Sequence, residues 1–253
     1  MKVPNEMISL FEKYFGLVKR KDTDVVVTNL DRGIFTPDQG ARFGLRFLNN
    51  REILRCKLQA EKEGFDGILN TCFFDPALKP AKQLLHIPVV GMAEAAYHFA
   101  TMMGLKFAVV TDEERWVPEM IATLEEYKMR NHAIERKPIR VLTLPRDELT
   151  EGYKGNYSLV TNNYKEIAAS CIEDGAEVLI TGSGALAPII TLGGLREVAG
   201  APIVDPELVG LKTLEMLVDL NKAGLPYVSR KGLYAEVPAK EVDELMTELN
   251  MRI

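Results

Sequence analysis

The chain has 253 residues, 47% hydrophobic and 26% charged, with 36 acidic against 31 basic side chains and a formal net charge of -5. That size supports a large core or two smaller ones, and the mixed charge argues against the basic footprint of a nucleic-acid binder. Three cysteines (Cys56, Cys72 and Cys171) and no apolar leader argue against a disulfide framework and for a reducing, cytoplasmic setting; no apolar run reaches the ~18 residues of a membrane span.

In chain order, β-rich runs predict strands at 24–28, 67–70, 89–90, 107–111, 140–144, 178–181 and 203–204. Amphipathic patterns predict helices at 51–63, 77–85, 118–128, 164–174, 207–223 and 241–249. Strands alternating with helices imply βαβ units and a mainly parallel sheet. In such sheets ligands bind beyond the carboxyl ends of the strands. Cys72, in Asn70-Thr71-Cys72-Phe73-Phe74-Asp75-Pro76, falls at such an end, just before a predicted helix. Helix N-termini favour negative charge, so the position can lower a thiol pKa and raise its reactivity. The plainer reading is a small apolar residue closing a strand. Both readings stand at this point.

The chain also echoes itself. Residues 63–72 run helix end, Gly64, Asp66, apolar strand, then Cys72. Residues 174–183 run helix end, Gly175, Glu177, apolar strand, then Ser183. Ile87-Pro88-Val89-Val90-Gly91 compares with Ala201-Pro202-Ile203-Val204-Asp205 in the same order. Two related α/β halves would set Cys72 and Ser183 at matching strand ends, lining one cleft.

Other signals are weaker. Gly182-Ser183-Gly184-Ala185-Leu186-Ala187 fits a dinucleotide fingerprint, but too little chain follows for a full Rossmann domain. His86, His98 and His132 are scattered, with no metal-ligand spacing. Glu94 is either a pocket-edge residue or an acid complementing a helix dipole. Thr111 is either a ligand contact or a helix N-cap. Arg115 lies among Asp112, Glu113 and Glu114 and reads as paired. Trp116 either covers the cleft or packs. Asp205 reads as a structural hydrogen-bonding residue.

Taken together, Thr71-Cys72-Phe73-Phe74-Asp75-Pro76-Ala77-Leu78, Ile87-Pro88-Val89-Val90-Gly91-Met92-Ala93-Glu94-Ala95, residues 107–111, Arg115-Trp116-Val117-Pro118, residues 201–206, Ser229-Arg230-Lys231-Gly232 and Pro238-Ala239-Lys240-Glu241 resemble the aspartate/glutamate racemase superfamily, and within it the hydantoin racemase branch. The resemblance implies two parallel-sheet α/β domains related by a pseudo-two-fold axis, here 1–97 plus 208–253 and 98–207. It implies cofactor-independent, metal-free proton transfer at a carbon next to a carbonyl or carboxylate. Inversion needs a base on one face and an acid on the other, and donors for the developing enolate.

Carried over, Cys72 and Ser183 take the two catalytic places. Asn70, Thr71, Phe73, Phe74, Thr181, Gly182, Gly184, Ala185, Glu94, Thr111 and Asn5 take the substrate-binding places, with N–H groups of Phe73, Phe74, Gly184 and Ala185 meeting substrate oxygens. The expected partner is a small carboxylate, amide or hydantoin-like substrate, with no nucleic acid or membrane, and the expected assembly is a homo-oligomer. The chain departs from the pattern twice. Ser183 stands where the second cysteine belongs, and Cys171 lies within the preceding helix and cannot replace it. Most of an N-terminal strand and its Asn-Pro-Asn-like loop are absent; Pro4-Asn5 is the remnant, with Asn29 and Arg32 as alternative polar groups. A one-thiol lyase, cis–trans isomerase or hydrolase, and a non-catalytic binder with a relic site, are the rival functions.

Overall fold

The computed structural model describes residues 5–28, 30, 33, 36–142 and 144–250. In chain order they form helix α1 (Asn5–Phe15), the single turn α2 (Pro37–Gly40), α3 (Phe43–Lys62), strand β1 (Ile68–Asn70), α4 (Leu78–Leu84), β2 (Val89–Gly91) and α5 (Met92–Met103). Then come β3 (Phe107–Thr111), α6 (Val117–Glu126), β4 (Ile139–Val141), α7 (Arg146–Tyr153), α8 (Ser158–Glu173), β5 (Val178–Thr181) and α9 (Ala187–Leu192). The chain closes with β6 (Glu197–Val198), β7 (Ala201–Val204), α10 (Pro206–Lys222) and α11 (Ala239–Glu248).

β1 and β2 form a parallel pair, and the other strands form a sheet in the order β4-β3-β5-β7-β6. Among the described residues only β6 runs antiparallel, joined to β7 by a tight turn in which Ala199 and Gly200 both take positive φ. That is the backbone a two-residue hairpin demands. β3 reads Phe-Ala-Val-Val-Thr and is buried throughout. Successive side chains point to opposite faces. Phe107 and Val109 meet Tyr97 of α5 and Met120 and Leu124 of α6. Ala108 and Val110 meet Val160, Tyr164 and Ala168 of α8. Helices therefore cover both faces, which is why the parallel strands are continuous apolar runs.

The internal echo is borne out in the pairing register. Ile68 pairs with Val89, and Leu69 with Val90. Their counterparts in the echo, Leu179 with Ile203 and Ile180 with Val204, pair in the same way. Cys72 and Ser183 thus follow equivalent strands, as expected.

Two expectations fail near the N-terminus. Residues 24–28 form no strand. Their alternation is real, but Val25 and Val27 pack on the aromatic cluster of Phe11, Tyr14 and Phe15 against Leu208 and Leu211 of α10, instead of pairing with a neighbouring strand. Asn5 does not sit in a loop at a strand end: it opens α1, and its side chain lies outside the described residues, as do Asn29 and Arg32. Predicted helix ends elsewhere move by a few residues, most at α3, which begins at Phe43.

Candidate active site

β3, β5 and β7 are adjacent and parallel, so their carboxyl ends lie side by side. The segment after each carries a polar group: Asp112 after β3, Ser183 after β5, Asp205 and Glu207 after β7. The β3 and β5 ends are tied together. Gly182 N–H donates to Val110 O at 2.7 Å, and Thr111 Oγ1 donates to Gly182 O at 3.2 Å. Thr111 is therefore neither a helix cap nor a free hydroxyl. Thr181 is buried and shares a 3.2 Å hydrogen bond with Tyr164. Gly182 has no room for a side chain, since a Cβ there would land on Val109.

The Cys72 segment comes from the other parallel pair. Asp75 N–H closes a turn onto Cys72 O at 2.9 Å. Asp75 and Ala77 both take left-handed backbone, with φ of 44° and 53°. Each costs about 1–2 kcal/mol for a non-glycine residue, and such strain clusters at functional sites. Five hydrogen bonds hold the turn in place. Asn70 Nδ2 donates to Pro76 O at 3.0 Å, and Lys57 Nζ to the same oxygen at 2.8 Å. The Asp75 carboxylate accepts from Ala93 N–H at 3.2 Å, Glu94 N–H at 2.9 Å and the Tyr127 hydroxyl at 2.7 Å. Asp75 is thus the N-terminal cap of α5. Gly91 makes this possible, because any side chain at 91 would collide with that carboxylate.

The two loops meet. A Cβ on Gly184 would stand 3.0 Å from Thr71 O, so the loops beside Cys72 and Ser183 approach closely enough that a side chain at 184 would crowd Thr71. The sequence-derived candidates divide accordingly. Thr71, Cys72, Ser183, Gly184 and Ala185 lie at this junction. Asn70, Thr111, Thr181 and Gly182 are the hydrogen-bonded frame behind it. Phe73 points into the core, edge-on to Tyr97 with centroids 5.4 Å apart. Phe74 packs edge-on to Trp116 at 5.8 Å, with the Arg46 guanidinium 4.4 Å above its ring. Glu94 forms an ion pair with Lys82 at 2.5 Å. Arg115 pairs with Glu113 and Asp38, and the three histidines are exposed. Asp205 caps α10, accepting from Glu207 and Leu208 N–H at 3.1 Å each, and takes the Tyr14 and Thr191 hydroxyls at 2.5 Å each.

The electrostatics correct one expectation. Burial pushes the Cys72 thiol above its ordinary value and the Asp75 charge adds to this, outweighing the Phe74 N–H and Arg46, which pull it down. α4 begins at Leu78, six residues beyond Cys72 and close to the expected start. Burial also lifts Asp75 to about 6, against its three hydrogen-bond donors. Ser183 is buried; its Oγ accepts from Ala185 N–H at 3.2 Å, and its hydroxyl lowers the pKa of Asp112, which burial raises overall. The fold thus brings Ser183 a carboxylate partner.

Two charged residues escaped the sequence reading. Lys57 is 5% exposed, and burial lowers it to about 7, opposed by Asp75 and Cys72. Glu207 is 1% exposed, and burial followed by the Asp205 charge raises it well above the usual carboxylate range. Each had a signal. Lys57 falls on the apolar stripe of α3 with Leu54 and Leu58, and Glu207 on that of α10 with Leu211, Leu214 and Val218.

Among the described residues no His/Cys/Asp/Glu group has the makings of a metal site, and no helix is long and apolar enough to cross a membrane. The model of the Asp/Glu/hydantoin racemase family matches residues 30–214. A hydantoin racemase from Pseudomonas sp. (strain NS671) is 27% identical over 205 residues, covering 80% of this chain and 77% of its own. One from Rhizobium meliloti is 29% identical over 165 residues, 65% of each chain. An allantoin racemase structure from Klebsiella pneumoniae superposes with a TM-score of 0.75 at 23% identity, covering 93% of this chain and 90% of its own. The fold and the paired loops define an α/β protein of racemase type. The chain belongs to the Asp/Glu/hydantoin racemase family.

Proposed function

We propose that Cys72 is the catalytic thiol of a cofactor-independent racemase that moves a proton at a carbon next to a carbonyl of a hydantoin-like or related small cyclic amide. The observation that carries this reading is the junction itself: Thr71 O lies 3.0 Å from where a Cβ on Gly184 would stand, so the loops after β1 and β5 come together. The names of the relatives support the substrate class.

In this reading Cys72 removes the proton as thiolate. Arg46 favours the thiolate electrostatically, and the Phe74 N–H hydrogen-bonds it. The raised thiol pKa suits the task, since a stronger base is needed for a carbon acid. The N–H groups of Phe73 and Gly184 are the proposed donors to the enolate oxygen. Ser183, hydrogen-bonded to Ala185 N–H and facing Asp112, holds the opposite wall. The two-domain division at residues 97 and 207 belongs to the same proposal. So do a cytoplasmic location, supported by three free cysteines, and a homo-oligomer, supported by the exposed Phe43, Phe47 and Leu48 along α3.

The test is incubation of hydantoins, allantoin and free amino acids in deuterated water, followed by NMR and chiral separation. Cys72-dependent deuterium uptake with interconversion of enantiomers is expected for the cyclic amides. Parent protein no more active than C72S would defeat the reading.

A further inference from the structure

The second thiol is missing, and the half of the chain that lacks it carries a buried acid at a position where the other half has an alanine. The echo sets Gly91 against Asp205; two residues further on, Ala93 stands against Glu207. Ala93 is fully buried, as are Met92 and Ala96 of α5. Glu207, in the first turn of α10, is 1% exposed, and its Oε2 has no hydrogen-bond partner. Leaving a buried polar group unpaired costs about 1–3 kcal/mol. Its Oε1 lies 3.0 Å from where a Cβ on Gly184 would be, a point equally 3.0 Å from Thr71 O. The carboxyl therefore sits at the meeting point of the Cys72 and Ser183 loops, with one oxygen unsatisfied.

From this placement we infer that Glu207 is the second proton carrier of the site, in the place of the absent thiol. The inference rests on the racemase reading above. The groups facing Glu207 are Tyr14 from α1, Asp205 at the start of α10, and Tyr153 of α7, whose own shift registers both Glu207 and Asp112. None is a cation. A carboxyl in such company is held protonated, because burial and the Asp205 charge both disfavour its anion. A neutral carboxyl can donate its proton, which a serine hydroxyl does far less readily.

The step balances. The Cys72 thiolate takes the α-proton, and the C–H electron pair moves into the enolate. The Glu207 O–H bond then breaks. The enolate pair forms a new C–H bond to that proton on the opposite face. The site is left with a Cys72 thiol and a Glu207 carboxylate. That carboxylate is a strong base where it lies, and it starts the reverse reaction on the other enantiomer. One proton shared between unlike groups thus replaces one shared between two thiols.

The experiment compares the parent chain, E207Q, E207D and C72S in deuterated water with each enantiomer of 5-isobutylhydantoin, corrected for spontaneous exchange. E207Q keeps the volume and removes the exchangeable acid. Inversion should fall at least 100-fold in E207Q, while Cys72-dependent deuterium exchange with retention persists for one enantiomer. E207D should recover part of the inversion. A thermal melt of E207Q equal to or above that of the parent shows that the loss is chemical. Inversion by E207Q within threefold of the parent overturns the proposal, as does equal loss of exchange and inversion in a well-folded E207Q. A parent chain no more active than C72S overturns the racemase reading, and this proposal with it.

Discussion

The Cys72 loop and the Ser183 loop follow equivalent strands, yet they are built from opposite materials. The Cys72 side is strained and cation-rich. Asp75 and Ala77 hold left-handed backbone, Lys57 grips Pro76 O, and Arg46 lies over Phe74. The Ser183 side is glycine-rich and acidic, with Asp112 and Glu207 each presenting a buried oxygen that has no hydrogen-bond partner. Burial holds back proton loss from both the thiol and the carboxyl, with Arg46 pulling the thiol the other way and the Asp205 charge adding to the effect on Glu207. Two unlike walls can serve the two faces of one carbon with no repeated residue.

The sharpest way to break this comparison is to remove the thiol. C72A should lower turnover at least about 10³-fold, the upper part of the range for a general acid–base group, read from the rate of enantiomer interconversion. Next is the strained loop. D75A removes the α5 cap and puts alanine at φ 44°, so urea unfolding should show a loss of about 2–4 kcal/mol. D75N, which keeps an acceptor and tolerates that backbone, should lose about half as much. If D75A is neutral, the cap is not what fixes the turn.

A milder probe separates the hydroxyl from the acid. S183A should cost only about threefold to tenfold in interconversion, because Ser183 positions instead of carrying the proton. A loss as large as that of C72A would return the second role to Ser183.

The last probe is pH. Lys57 sits at about 7 in the fold against an ordinary 10.5. Between those values the unfolded chain binds more protons, so stability should rise with pH over that window, and K57M should flatten it. Asp75 sits at about 6 against 3.8. Here the folded chain binds more protons, so its contribution is full below 3.8 and is lost as pH rises through about 6. The two windows do not overlap, so chemical denaturation at a series of pH values reads each side of the loop separately. Iodoacetamide labelling of Cys72 should likewise rise with pH to a midpoint above the ordinary ~8.5 of a free thiol.

Much of this architecture was legible in the residues. The echo between residues 63–72 and 174–183 anticipated both the strand pairing and its register, because identical spacing from helix cap to strand end forces identical alignment. Segment 24–28 alternates without forming a strand, because alternation reports burial on one side and says nothing of a pairing partner. The direction of the thiol pKa is hidden for a related reason: strand-end position is visible in sequence, while the burial that raises the thiol is set by the packed fold. Lys57 and Glu207 were open to detection, since each interrupts an apolar stripe with a charge. Charges on a helix are usually solvated, and only the packing shows that these two are not.

The cap of α5 has one more consequence. On the Ser183 side, Asp205 caps its own helix; on the Cys72 side, Gly91 leaves a space and Asp75 reaches in to fill it. Positions 75 and 91 therefore compete for one volume and one pair of N–H groups. In related chains they should trade as a pair, with an acid at one excluding a side chain at the other. An aligned set of relatives would show this as covariation between two residues far apart in sequence. The exchange D75G with G91D would carry the cap back into the helix that it serves, and leave the turn beside Cys72 free to relax.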